Sequence, residues 1–207
     1  MIRFTLRLVG GSTTWVAPTF VYLIWALVTL GGSSTALSNV DGLFYASTVW
    51  SIWMTIVIGN VDTDQHRDVL AAAVGSAATL HAQRAVAVVV ASVVVGGIVS
   101  LATVVKTTSV SPIRDLVICM MVTTAGSLLG TSFGTLLHRP LLRHNGLAVL
   151  LAVSCILVTI ISLVPVRIFA GAGRGGLASP ALIVAVTGCW CALVVGVAAG
   201  LAASRAR

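Results

Sequence analysis

The stretch "AVAVVVASVVVGGIVSLATVV", Ala85 to Val105, carries 21 residues without one charge, and is framed by Arg84 and Lys106. Its valines would suit a strand in water. A run of this length matches the about 20 apolar residues that one helix needs to cross a bilayer, and only helices or closed barrels satisfy their backbone there. The run predicts a transmembrane helix.

The rest of the chain agrees. Of 207 residues, 58% are hydrophobic and only 8% are charged, too few charges to coat a soluble domain. Mean hydropathy is +1.10. Five further segments have the length and apolarity of a span, and the six run approximately 13–30, 43–59, 85–105, 115–137, 146–164 and 181–203. The expected fold is an all-α integral membrane protein of six transmembrane helices, one transmembrane domain over residues 1–207, without a nucleotide-binding domain. Ser111-Pro112 and Ser179-Pro180 place a capping oxygen and a proline at the openings of spans four and six. The start "MIRFTLRLVGG" is basic, but the apolar run behind it is too long for a signal peptide, so a retained first span is expected.

Orientation follows from the basic residues. Arg3, Arg7, Arg67, Arg84, Arg139, Arg143, Arg205 and Arg207 fall on one side, eight in all, against Lys106, Arg114, Arg167 and Arg174, four in all. The positive-inside rule then puts both termini in the cytoplasm. The net charge of +7 is dispersed, with no basic face or interleaved aromatics, so it suits anionic lipid headgroups better than nucleic acid.

Three motif readings are weak. "GAGRGG", Gly171 to Gly176, has the spacing of a dinucleotide loop, yet no strand precedes it. No phosphate-cradling G-x-x-x-x-G-K-[ST] occurs, so the chain itself has no means of holding ATP. Cys119, Cys155, Cys189 and Cys191 all lie in apolar runs without His or carboxylate at ligand spacing, and read as packing residues. The expectation is that no metal or cofactor is bound by this chain, and that it is not an enzyme.

Small and aromatic residues mark contacts. Gly126, Gly130 and Gly134, four apart in "GSLLGTSFG", form a strip that lets helix backbones approach closely; Gly196 and Gly200 repeat the spacing. Nine of twelve aromatics precede residue 54. Trp15, Phe44 and Tyr45 sit near predicted span ends and suit an interfacial belt. Tyr22, Trp25, Trp50 and Trp53 lie deeper, either packing span one on span two or lining a substrate path.

The segment 60–84 gathers three of the five carboxylates and two of the four histidines. From Arg67 onward Leu70, Ala73, Val74, Ala77 and Leu80 share one helical arc, with Gly75-Ser76 as a point of division. Asp62 and Asp64 stand ahead of it, where a helix dipole favours acids, and Arg84 stands at the return to the membrane. A short amphipathic cytoplasmic helix either lies on the membrane or docks in a partner's groove. "DTDQHRD" (Asp62, Asp64, His66, Asp68) also packs oxygen ligands as a membrane transferase would, though no second acidic segment completes a site.

In this arrangement the chain resembles the membrane subunits of type-2 ATP-binding cassette exporters. "DTDQHRDVL" supplies Asp64, Arg67 and Leu70 of a coupling helix, "GS" its turn, and Arg84 its basic exit. "MIRFTLRLVGG" is similar to the family's amphipathic helix before span one, and "RIFAGAGRGGLASP" to its external segment before span six. The resemblance implies six spans with cytoplasmic ends in the plasma membrane. It also implies a separate ATPase subunit that binds ATP and Mg, coupling through Asp64, Arg67, Leu70, Val74 and Arg84, and a second copy of this or a similar membrane subunit. The substrate would be lipophilic: a drug, peptide or lipid. A non-transporting scaffold or immunity protein, using its glycine strips as the working surface, is the alternative. A small metal-dependent membrane transferase is a third.

Overall fold

A computed structural model describes residues 16–31, 40–60, 69–73, 75–107, 111–137 and 178–205. Within them the regular structure is entirely helical: α1 (Val16–Gly31), α2 (Val40–Asn60), α3 (Ala77–Lys106), α4 (Pro112–Leu137) and α5 (Ala178–Arg205). Four of these contain stretches long and apolar enough to cross a membrane, namely Val40–Gly59, Ala78–Lys106, Pro112–Leu137 and Ala181–Leu201; the apolar part of α1, Val16–Val28, is shorter. The expected span 146–164 and the amphipathic start lie outside the described residues.

The ends follow local chemistry. Ser76 caps α3 from an extended backbone, its hydroxyl accepting from the Thr79 N–H at 3.1 Å. Gly75 just ahead has φ +93, a left-handed conformation that a side chain would strain. Helix α4 opens on Pro112 directly after Ser111, as its sequence predicts. Helix α5 opens on Ala178, so Ser179 and Pro180 lie in its first turn rather than before it.

Helix α3 corrects one expectation. Its 30 residues begin at Ala77, not at Ala85. At 1.5 Å per residue the helix is about 45 Å long, against a hydrocarbon layer of about 30 Å. The 22-residue rise from Arg84 to Lys106 covers about 33 Å, close to that thickness by itself. The division at Gly75-Ser76 is real, and Leu80, assigned by the sequence to a cytoplasmic stripe, is buried within α3.

Helices α2 and α4 form the centre and run parallel. Gly126 faces Phe44 and Ser47, Gly130 faces Thr48 and Ser51, and Gly134 faces Thr55. Helix α3 packs antiparallel against α4, with Gly96 against Thr123 and Gly97 against Met120. Helix α5 lies on the outer side of α4, with Gly188 against Leu128.

The polarity of the bundle is reversed relative to a protein in water. Ser47, Thr48, Ser51, Thr55, Ser92, Thr103, Thr123, Ser127, Thr131, Ser132 and Thr135 are all buried. Val94, Ile98, Leu101 and Val105 of α3, and Leu182, Val186, Leu193 and Val197 of α5, form exposed stripes at helical spacing. Such continuous apolar stripes match lipid, not water. The hydroxyls are satisfied chiefly by carbonyls one turn back, as in Thr48 to Phe44 at 2.8 Å, Thr55 to Ser51 at 2.7 Å, Ser127 to Thr123 at 2.7 Å and Thr131 to Ser127 at 2.8 Å. Between α2 and α3, the Ser51 and Ser92 hydroxyls meet at 3.0 Å.

Candidate functional site: an aromatic cleft between the first two helices

Helix α1 has no charged residue, and α2 has one, Asp41 in its first turn. On α2 the positions 45, 46, 49, 50 and 53 fall on one face at helical spacing, and α1 answers with 18, 21, 22 and 25. Between them lies a cleft of about 230 Å³ lined by Pro18, Val21, Tyr22, Trp25, Tyr45, Ala46, Val49, Trp50 and Trp53. The four deep aromatics singled out from the sequence, Tyr22, Trp25, Trp50 and Trp53, therefore share one cavity.

They also pack. Tyr22 and Trp50 are buried, their ring centroids 5.8 Å apart at an interplanar angle of 40°. The Trp50 indole N–H donates to the Thr19 hydroxyl at 3.4 Å. Trp53 is 40% exposed and stands at the open side. The hydroxyls of Tyr22 and Tyr45 are buried and have no hydrogen-bond partner among the described residues, which is uncommon for buried polar atoms and costly in a low-dielectric wall.

Phe44 and Tyr45, expected near a span end, lie one turn from the start of α2 at Val40. Tyr45 lines the cleft, and Phe44 is buried against α4, where its carbonyl oxygen lies beside Gly126. The signal was available: Tyr45 precedes Val49 and Trp50 by four and five residues, on the face that meets α1.

The residues expected to grip an ATPase are divided. Asp64, Arg67 and Val74 lie outside the described residues, as do Asp62, His66 and Asp68. Leu70 is half-buried on the helical residues 69–73, which a turn at Gly75 separates from α3. Arg84 is buried in α3, where it borders a small void together with Thr55, Gly59, His81 and Thr135. This position, beside the last turns of α2 and α4, suits a cation facing the carbonyl ends of two parallel helices.

Gly126, Gly130 and Gly134 lie at the contact between α4 and α2. A methyl group on Gly130 would overlap the Thr48 carbonyl oxygen, and one on Gly134 would stand 2.5 Å from the Thr55 Cβ. The strip is occupied within the subunit. Its partner strip, Ser47, Ser51 and Thr55, has the same four-residue spacing and was not recognised from the sequence. Among the described residues no Gly196 or Gly200 neighbour lies within 4 Å, and no group of His, Cys, Asp or Glu is placed to hold a metal ion. Comparison with known protein families, curated proteins and solved structures finds no match.

Proposed function

We propose that the chain is the membrane subunit of an ATP-driven exporter in the plasma membrane, with a lipophilic cargo, working with a separate ATPase subunit that binds ATP and Mg. The observation that carries this reading is the aromatic cleft of about 230 Å³ between α1 and α2. A lipophilic cargo needs such an apolar, partly open wall with few polar groups. A short helical segment cut from α3 by Gly75 and the Ser76 cap, with half-buried Leu70 on it, is the kind of element that could sit in a groove of an ATPase.

The direction of the helices supports six crossings with both termini inside. Gly188 meets Leu128, and Cys191 lies beside Ser132, so α5 runs parallel to α4. Two parallel spans need one crossing back between them, and 146–164 is the apolar sequence available for it. Six spans make half of a pathway, which calls for a second copy or a similar subunit. The scaffold reading loses its main surface, because α2 fills the Gly126–Gly134 strip.

The test is purification of the tagged chain in mild detergent from its native membrane. A stoichiometric Walker-motif ATPase, with hydrolysis stimulated by cargo, is the expected outcome. A chain that purifies alone and leaves cellular efflux unchanged when deleted is not an exporter subunit.

A further inference from the structure

We infer that the cleft between α1 and α2 binds a protonated lipophilic amine, its cationic head against the aromatic rings. As the cargo of an exporter this ligand rests on the function proposed above. As a binding site it stands on the α1–α2 geometry alone.

Two observations select this chemistry. First, five aromatic side chains, Tyr22, Trp25, Tyr45, Trp50 and Trp53, line one small cleft. Ring faces carry negative quadrupole density, and several rings around one point hold an ammonium group well once it is desolvated. Second, the two helices carry a single charged side chain, and it is an acid: Asp41 stands four residues before Tyr45, on the same helical face and one turn away. No Lys, Arg or His of α1 or α2 offers a site to an anion, and in this low-dielectric setting a carboxylate acts over a longer range than in water.

Size narrows the ligand further. The cleft, at about 230 Å³, is smaller than the roughly 300–1,000 Å³ of drug-sized sites. It accommodates an aryl-methylamine head and excludes a folded peptide; any longer tail lies out past half-exposed Trp53 toward lipid.

The experiment uses the full chain in nanodiscs, with binding read as saturable quenching of tryptophan fluorescence against empty nanodiscs. Three probes of nearly equal shape are compared at neutral pH: benzyldimethylamine, which is protonated there; benzyltrimethylammonium, which has the charge but no N–H; and isobutylbenzene, the uncharged carbon analogue. The two cations should bind at least about tenfold more tightly than isobutylbenzene. Trp53→Ala, which removes the ring at the open side of the cleft, should weaken both cations several-fold. Asp41→Asn should weaken both cations and not the hydrocarbon. Equal binding of isobutylbenzene and the cations, or no saturable binding of any probe, overturns the proposal, and this comparison needs only the native chain. If the amine binds selectively but no ATPase copurifies, the site stands and the exporter reading falls. If the ATPase copurifies and the hydrocarbon binds as well as the amine, the reverse holds.

Discussion

Gly130 of α4 lies directly on the Thr48 backbone carbonyl of α2, so close that a single added methyl group has no room. Because the obstruction is backbone, it cannot be relieved by a rotamer change. The α2–α4 contact is thus set by three absent side chains, and the glycines there contribute closeness rather than flexibility.

Gly130→Leu should separate α2 from α4 and lower thermal stability in detergent by more than the about 1–3 kcal/mol typical of overpacking. Gly130→Ala should fall in that range. Gly196→Ala, at a position with no described neighbour within 4 Å, should be neutral or slightly stabilising through helix propensity. Equal melting temperatures for the Gly130 and Gly196 variants would show that the strip does not bear the packing.

The Ser51–Ser92 bond ties α2 to α3, and the Ser92 hydroxyl also lies 2.8 Å from the Val88 carbonyl as its donor. A double-mutant cycle with Ser51→Ala and Ser92→Ala should give a coupling of about 0.6 kcal/mol, the usual size for such bonds in membranes. A coupling above about 2 kcal/mol would mean that the bond, not the glycine contact, sets helix position.

Trp50 both packs on Tyr22 and lines the cleft, so two substitutions separate its roles. Trp50→Ala should lower stability by about 3–5 kcal/mol, the cost of removing a buried aromatic. Trp50→Phe keeps most of the packing but loses the N–H to Thr19, and should retain folded protein while changing cargo preference. If Trp50→Phe leaves both transport and ligand binding as they were, the ring is structural only.

The predicted orientation can be read at two described helix ends. In a background where Cys119, Cys155, Cys189 and Cys191 are replaced by alanine, Ser111→Cys should react with an impermeant thiol reagent on intact cells. Ser76→Cys should react only after permeabilisation. The opposite pattern reverses the topology.

What the sequence disclosed follows from how locally each feature is encoded. The apolar body of α3 was legible because Arg84 and Lys106 bracket it, yet its start was not: His81 and Arg84 look like loop residues and are buried helix residues. The Gly126–Gly134 strip was legible from spacing alone. Its counterpart, Ser47, Ser51 and Thr55, was hidden because hydroxyls suggest a solvated surface, whereas here each can be buried through carbonyls of its own helix or a neighbouring side chain. Tyr45 reads as a boundary residue from its place near the start of α2, and only the assembled helices show that it also lines the cleft. That the Tyr22 and Tyr45 hydroxyls find no partner among the described residues is likewise a property of the assembled helices, and no spacing in the sequence announces it.

The exporter reading has its sharpest test at Leu70. Residues 69–73 are helical and stop at Gly75, whose N–H bonds back to the Ala72 carbonyl at 3.3 Å; the chain then restarts as α3 under the Ser76 cap. Leu70 is half-buried on this segment, while Val69 beside it is 66% exposed. If an ATPase groove receives this segment, Leu70 is its apolar anchor, and truncating such an anchor costs about 2 kcal/mol or more of binding. Leu70→Asp should therefore release the ATPase, or uncouple its hydrolysis from transport, with α2 and α3 still inserted. Arg67→Ala should act in the same direction more weakly, as a rim charge does. Gly75→Ala strains the turn by about 1–2 kcal/mol and should tilt the segment without removing the anchor, giving a partial loss of coupling. The measurements are ATPase copurification and cargo-stimulated hydrolysis at matched membrane expression. Full retention of both by Leu70→Asp would leave the segment as a membrane-surface helix and remove the ATPase from the proposed assembly.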